Sequence, residues 1–419
     1  MPPLTIDLKD LSARESERVE WKENVASIDD VVATISAFSN DYANMGGGYV
    51  VCGAKEETDE FGFQRVRYIG LTSDQLKRIE GEVLAQCRSR VDPAITPIAE
   101  ELATADPARR VLVFIVPATH LAHSYRATKE GSPTYYVRLG RQTIMARNGV
   151  FRELMVRKGV LEPWDRRLCA GSTEADLDLL ALRECLTRMG TWDGSRLIED
   201  VLTDSNAISV FAPSLMVREP LTNILRPRNF AMLLFGRKPT AAAPGAYSIV
   251  STYPGTDRSS RHGSRLEFGG TILQQIDRIM DVLSLETATL FDKASDRPNA
   301  MKYPKAALEE AVVNAIAHRD YESNQPVRVT VFQDRIEILS PGGLPSAVPP
   351  DQFVAGTASP YWRNQGLAYF LNRLNLAQAE GQGIPTILRT MQHDGGPGAR
   401  FEIEAERLIT VLPANLRNA

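Results

Sequence analysis

The segment from Tyr303 to Tyr321, YPKAALEEAVVNAIAHRDY, constrains this chain more than any other. Ala, Leu and Glu dominate it and Pro304 suits a first helical turn, so it predicts a helix. Leu308, Ala311, Val312, Ala315 and Ile316 fall at helical spacing and form an apolar stripe. Glu310, Asn314 and His318 recur every four residues and so share the other face. A side-chain amide oxygen is a hard ligand that suits Mg²⁺. A carboxylate one turn earlier can orient or deprotonate an attacking water. The pattern fits a magnesium-nucleotide site. From spacing alone it also describes a polar helix face that meets only solvent.

The segment is followed by an ordered set of elements. Val327 to Phe332 and Arg335 to Leu339 read as two strands, with Gln333-Asp334 as the turn. Ser340-Pro341-Gly342-Gly343-Leu344 comes next, then Arg363-Asn364, then Glu380-Gly381-Gln382-Gly383-Ile384. Glycine pairs alone mark ordinary turns. In this order, the residues resemble the N box and glycine boxes of the GHKL ATPase superfamily of gyrase, histidine kinases and MutL. The extension Asn314-Ala315-Ile316-Ala317-His318-Arg319-Asp320-Tyr321 resembles, more narrowly, the divergent GHKL domain of bacterial proteins often labelled RecG-like helicases or transcriptional regulators.

The resemblance implies an α/β sandwich that binds ATP with Mg²⁺. Asn314 would hold the metal and Glu310 would position water. Gly342, Gly343, Gly381 and Gly383 would lie along base and phosphates, with His318, Asp320, Arg363 and Asn364 nearby. The superfamily carries an Asp in its first glycine box, where it accepts a hydrogen bond from the adenine amino group. Ser340 stands there in this chain, which leaves binding expected and hydrolysis open.

At 419 residues the chain should form two or three domains. Its 43% apolar and 24% charged content is that of a globular protein. The net charge of −4 gives no overall basic field, so any nucleic-acid binding must come from a local patch. Cys52, Cys87, Cys169 and Cys185 are scattered without metal-ligand spacing and read as reduced cytoplasmic thiols. No apolar run approaches a membrane span, and no signal peptide is expected. A Walker A sequence is absent, which argues against a helicase motor.

Nearer the N-terminus, Val19 and Trp21 alternate with Glu20 and Lys22 as in a half-buried strand. Ser27 followed by Asp30 marks a helix start, with the helix running through Val31, Val32, Ile35 and Phe38 to near Asn40. Gly46-Gly47-Gly48 precedes the strand Tyr49 to Gly53, and Val111 to Pro117 reads as a buried strand. Glu20-Trp21-Lys22, Ile35 to Asn40, Gly47 to Val51, Gly53 and Tyr135 to Gly140 resemble the Schlafen AlbA-type domain. In Schlafen nucleases three acidic residues of this domain serve RNA cleavage. The matching positions are Glu15, Glu20 and Glu56, or Glu57 in place of Glu56. They could hold Mg²⁺ or Mn²⁺ against a scissile phosphate. Lys22, Arg88, Arg90, Arg138 and Arg141 are candidate nucleic-acid contacts. A solvated charged surface, or a domain that binds without cutting, fits the same residues.

Phe151 to Val160 reads as a closing helix and Glu162 to Ser172 as a linker. Helices are expected from Asp176, around Leu197 to Leu202 and around Leu221 to Leu225. An apolar element follows at Asn229 to Gly236, then a strand at Ala246 to Val250. Arg226, Arg228, Arg258, Arg261 and Arg265 sit where they could reach phosphates, although a solvated loop accounts for them equally well. The expected fold class is a multidomain α+β chain. Residues 1–165 form an AlbA-like α/β domain, 173–298 a helical and mixed connector, and 299–419 the GHKL-like domain. Relatives often continue into a winged helix where this chain stops. The leading expectation is a cytoplasmic ATP-binding regulator that engages DNA or RNA. Metal-dependent cleavage of structured RNA and a homodimeric scaffold with a degenerate nucleotide site are the alternatives.

Overall fold

The computed structural model describes residues 18–58, 64–204, 206, 208–259, 263–287, 302–377, 381–393 and 396–415. Glu15, Arg261 and the expected domain start at Asn299 lie outside the described residues. The chain divides into two units, Met1–Glu162 and Pro163–Ala419. Among the described residues, no helix is long and apolar enough to cross a membrane.

The N-terminal unit runs β1 (Val19–Lys22), α1 (Ile28–Asn40), β2 (Gly47–Cys52), β3 (Ala54–Thr58), β4 (Gln64–Tyr68), α2 (Ser73–Ser89), β5 (Val91–Asp92), β6 (Ile98–Ala103), β7 (Arg110–Pro117), β8 (Ser124–Tyr125), β9 (Thr134–Leu139), β10 (Gln142–Met145) and α3 (Asn148–Arg157). One sheet has the order β1-β2-β7-β6, with β1 parallel to β2 and the other pairs antiparallel. Val50, Cys52, Leu112, Phe114 and Val116 share a core with residues of α1 and α2. Val19, Trp21, Tyr49, Val51, Val113 and Ile115 form a second cluster with Val66 and Tyr68 of β4. Both faces of β2 and β7 are therefore covered, which explains their unbroken apolar runs.

Helix α1 starts where the Ser27 hydroxyl accepts the Asp30 N–H at 3.2 Å. It ends at Asn40, followed by Asp41 at φ 45°. Asn40 is fully buried. Its amide donates to the carbonyls of His123 at 3.0 Å and Tyr136 at 2.8 Å, and accepts the His123 N–H at 2.8 Å. Ser36 donates to the same His123 carbonyl at 3.1 Å. The polar letters of the Ile35–Asn40 signature thus fasten α1 to the loop and strand beside it.

The C-terminal unit contains α4 (Leu179–Arg188), α5 (Ile198–Thr203), β11 (Met216–Arg218), β12 (Leu225–Pro227), α6 (Asn229–Phe235), β13 (Ser248–Thr252), β14 (Ser264–Phe268), α7 (Ile272–Ser284), α8 (Lys305–Ala317), β15 (Val327–Val331), β16 (Arg335–Pro341), α9 (Pro350–Ala355), α10 (Gln365–Arg373), α11 (Gly383–Gln392), β17 (Arg400–Ile403) and β18 (Arg407–Pro413). The order of its six-stranded sheet is β14-β13-β15-β16-β18-β17. Only the β13–β15 pair is parallel. Helix α8 packs against α7 and α11 and over β16.

One apolar core joins Leu182, Leu186, Phe230 and Phe235 to Val312, Ile336 and Leu412. Residues 173–298 share that core and supply β13, β14 and α7 to the unit. Two local expectations are corrected. The helix expected around Leu221 to Leu225 is a hairpin of β11 and β12, whose turn leaves Leu221 almost wholly exposed. Leu221, Ile224 and Leu225 fall at helical spacing, but the run is short and the cross-strand pairing of Met216–Arg218 with Leu225–Pro227 decides its backbone. Trp164 to Ser172, expected as a linker, is packed structure: Trp164 stacks on Tyr321 and Asp165 is fully buried.

Candidate functional site

The polar face of α8 does not meet bulk solvent. Ala307, Leu308, Ala311, Val312, Val313, Ala315, Ile316 and Ala317 are buried, which pins the helix against its neighbours. That orientation sends Glu310, Asn314 and His318 to a cavity of about 140 Å³. Ser340, Gly342, Gly343, Gly381 and Gly383 line it too. Residues more than 70 positions apart thus converge in one hollow, after the order the sequence set out.

Neither the Glu310 carboxylate nor the Asn314 amide has an ion-pair or hydrogen-bond partner among the described residues. Burial, with Glu309 beside it, raises the Glu310 carboxyl above its ordinary range. Helix α11 begins against this pair. A Cβ on Gly383 would sit 2.8 Å from Glu310 Oε2 and 3.0 Å from Asn314 Nδ2, so glycine lets α11 begin here without displacing those side chains. The first turn of α11 therefore presents helix N–H groups beside the acid and the amide, a setting that favours an anion.

Ser340 closes another wall. Its hydroxyl donates to the Ala315 carbonyl at 2.7 Å, which spends its only proton on α8. Towards the cavity the oxygen is left as an acceptor, the same polarity as the Asp expected at this place. His318 stacks on Trp362 with ring centroids 4.6 Å apart. Burial, reinforced by Arg363, pushes its imidazole down to about 4, so the ring is neutral at physiological pH.

Asp320, Arg363 and Asn364 stand behind the cavity wall rather than in its lining. Arg363 donates to the carbonyls of His318 at 3.2 Å and Gly343 at 2.6 Å. Asn364, buried, donates to the carbonyls of Ala317 and Arg319, both at 2.9 Å. The Asp320 N–H donates to the Pro341 carbonyl at 2.8 Å. Arg363 and Asp320 bind the end of α8 to the first glycine loop, and Asn364 ties that end to the start of α10. Gly342 sits at φ 95°, and a Cβ there would lie 2.2 Å from Arg363 Nη1.

Sequence reasoning missed Trp362, Thr410, Ile338 and Phe353, which are among the other residues of the lining. Thr410 had a signal, being the one polar letter in Leu408-Ile409-Thr410-Val411-Leu412. The residues that line the cavity suit a magnesium nucleotide in donor type, with a carboxylate and an amide oxygen on one helix face. None of those lining residues is Lys or Arg. Phosphate charge would fall to the metal and to backbone N–H groups.

The N-terminal candidates behave differently. Glu20 is buried and already paired twice, with Lys22 at 2.7 Å and Arg138 at 2.6 Å. Arg138 also donates to Thr143 and lies over the Phe38 ring. Glu56 is exposed on β3, and its neighbour Glu57 pairs with Arg67. Among the described residues no group of three or more His, Cys, Asp or Glu could hold a metal. Arg90 donates to the Ala127 carbonyl and lies 3.7 Å from Asp29, while Arg88 and Arg141 are exposed.

Two family models match separate parts of the chain. Residues 15–147 match the family described as "Schlafen, AlbA_2". Residues 324–412 match the one described as "Putative ATP-dependent DNA helicase recG C-terminal". The DIP2311 protein of Corynebacterium diphtheriae is similar at 17% identity over 95% of this chain and 76% of its own, with a TM-score of 0.44. The N-terminal domain of a RecG-related protein from Nitrosomonas europaea is similar at 25% identity over 30% of this chain and 82% of its own, with a TM-score of 0.25. At those scores neither superposition bears on function. No curated protein matches the chain.

Proposed function

We propose that this chain, in which a Schlafen AlbA_2 domain precedes a HATPase-type domain of the RecG C-terminal kind, is an ATP-binding regulator that engages nucleic acid. One observation carries the nucleotide half of the reading. Glu310 and Asn314, one turn apart, face a glycine-edged hollow with no protein partner of their own. A half-buried polar pair with no protein partner is what a ligand in the hollow would complete.

Bound with the nucleotide, Mg²⁺ would offset phosphate charge, and the Asn314 amide oxygen would hold it. The first-turn N–H groups of α11 would take phosphate oxygens. Glu310, desolvated and so a stronger base than an exposed carboxylate, would accept a proton from an attacking water. Ser340, an acceptor only on its cavity side, would favour the amino group of adenine over the carbonyl of guanine. The nucleic-acid half rests on the family of the N-terminal domain. The buried, reduced cysteines suit a cytoplasmic setting.

Titrating the full chain with MgATP and MgGTP, with Asn314→Ala as control, tests the reading. Saturable ATP binding that weakens at least tenfold in the variant, and weaker GTP binding, are expected. Equal weak signals from parent and variant would sink it.

A further inference from the structure

The first residues of the C-terminal unit grip the back of the same cavity wall. Trp164 stacks on Tyr321, centroids 5.5 Å apart and planes 13° off parallel. Arg167 pairs with Glu322 at 2.8 Å. Asp165, with no exposed surface, accepts the backbone N–H groups of Gly366 at 2.5 Å and Leu367 at 3.3 Å, and so caps α10. A Cβ on Gly366 would lie 2.5 Å from the Phe230 ring and 3.0 Å from Asp165 Oδ2, so this cap is closely fitted. Burial pushes the Asp165 carboxyl up to about 6, which still leaves it ionised at neutral pH.

The partners of this strap are the cavity's own supports. Tyr321 and Glu322 continue directly from His318, and the Tyr321 hydroxyl donates to the Ile316 carbonyl of α8 at 2.9 Å. Just ahead of α10, Arg363 and Asn364 hold the carbonyls of Ala317, His318, Arg319 and Gly343. Every link from the cavity wall to residue 164 is a hydrogen bond, an ion pair or a ring stack between named groups. The strap is also the stretch of chain that leads out of the N-terminal unit.

We propose that residues Trp164 to Arg167 are the element through which occupation of the cavity is passed to the chain joining the two units. This rests on the nucleotide reading above. A ligand moves such an element only if it favours one arrangement over another. A ligand held by Asn314 and the Gly342-Gly343 loop would do so by fixing the loop that Arg363 ties to His318. The strap, joined to Tyr321 and Glu322 just past α8 and to the start of α10 next to Arg363, then loses freedom with it.

Hydrogen exchange of the full chain, with and without Mg²⁺ and a non-hydrolysable ATP analogue, tests this. Binding should slow exchange around residues 310–318 and 383–387, and also slow it several-fold at 163–168 and 365–368. Arg167→Gln, at a partly exposed ion pair, should keep protection at the cavity but lose most of it at 163–168. Protection at the cavity with an unchanged strap overturns the coupling and leaves nucleotide binding standing. An Arg167→Gln variant whose strap responds as fully as the parent's also overturns it. No protection anywhere removes both proposals together.

Discussion

The two units treat their acids in opposite ways. In the N-terminal unit Glu20 is buried between Lys22 and Arg138, and both of its oxygens are engaged. In the C-terminal unit Glu310 is partly buried, faces a cavity and has no partner among the described residues. A buried charge matched by its neighbours builds a fold. A desolvated acid left facing space, with its proton held more tightly than usual, is a candidate for a site. Carboxylates that look equally suggestive in sequence are thus separated by what surrounds them.

The sharpest way to break this contrast is to exchange the roles. Asn314→Ala should cut MgATP affinity at least tenfold, measured by calorimetry, whereas Glu20→Gln should leave it within about twofold. A Glu20 variant that binds nucleotide as poorly as the Asn314 variant would erase the distinction.

Removing a matched partner should cost the fold instead. Arg138→Ala leaves Glu20 short of one cation and should destabilise the N-terminal unit by about 3 kcal/mol in urea unfolding. Asn40→Ala, which removes three buried hydrogen bonds to backbone groups, should cost about 2–3 kcal/mol. Either variant unfolding like the parent would mean the buried polar network contributes nothing.

Glu310 gives a smaller effect with a definite sign. Its folded-state pKa is raised, so the folded protein holds that proton more tightly than the unfolded chain does. Stability therefore falls as pH rises through that pKa. Glu310→Gln should raise the nucleotide-free Tm slightly at neutral pH, and the gain should vanish in acid below the ordinary carboxylate range. A Tm that drops at neutral pH would show a favourable partner for the carboxylate. The smallest expected effect is at His318. Its imidazole is already neutral, so MgATP affinity should show no step between pH 6 and 8 that His318→Gln abolishes.

Much of the C-terminal site was legible because its spacing is local. Glu310 and Asn314 are one helical turn apart, and the apolar stripe at Leu308, Ala311, Val312, Ala315 and Ile316 dictates which way they face. The glycines were legible as glycines, but Gly383 owes its role to α11 meeting α8, a contact between distant segments. Arg363 and Asn364 stood in the expected order, yet their work on the carbonyls at the end of α8 is invisible without coordinates. The pairing of Glu20 with Arg138, 118 residues further along the chain, could not be read from the sequence. The helix expected near Leu221 failed because apolar letters in a short run fit helix and strand alike.

By itself the sequence determined the periodic elements: the α8 helix and its two faces, the apolar strands β2 and β7, and the Ser27 cap. Those follow from backbone geometry and from neighbours a few positions apart. Only the tertiary structure decided which charges cancel, which glycines let backbones touch, and that the supposed linker at Trp164 grips the wall of the cavity. Such outcomes depend on distances between segments far apart in the chain, and no local pattern encodes them.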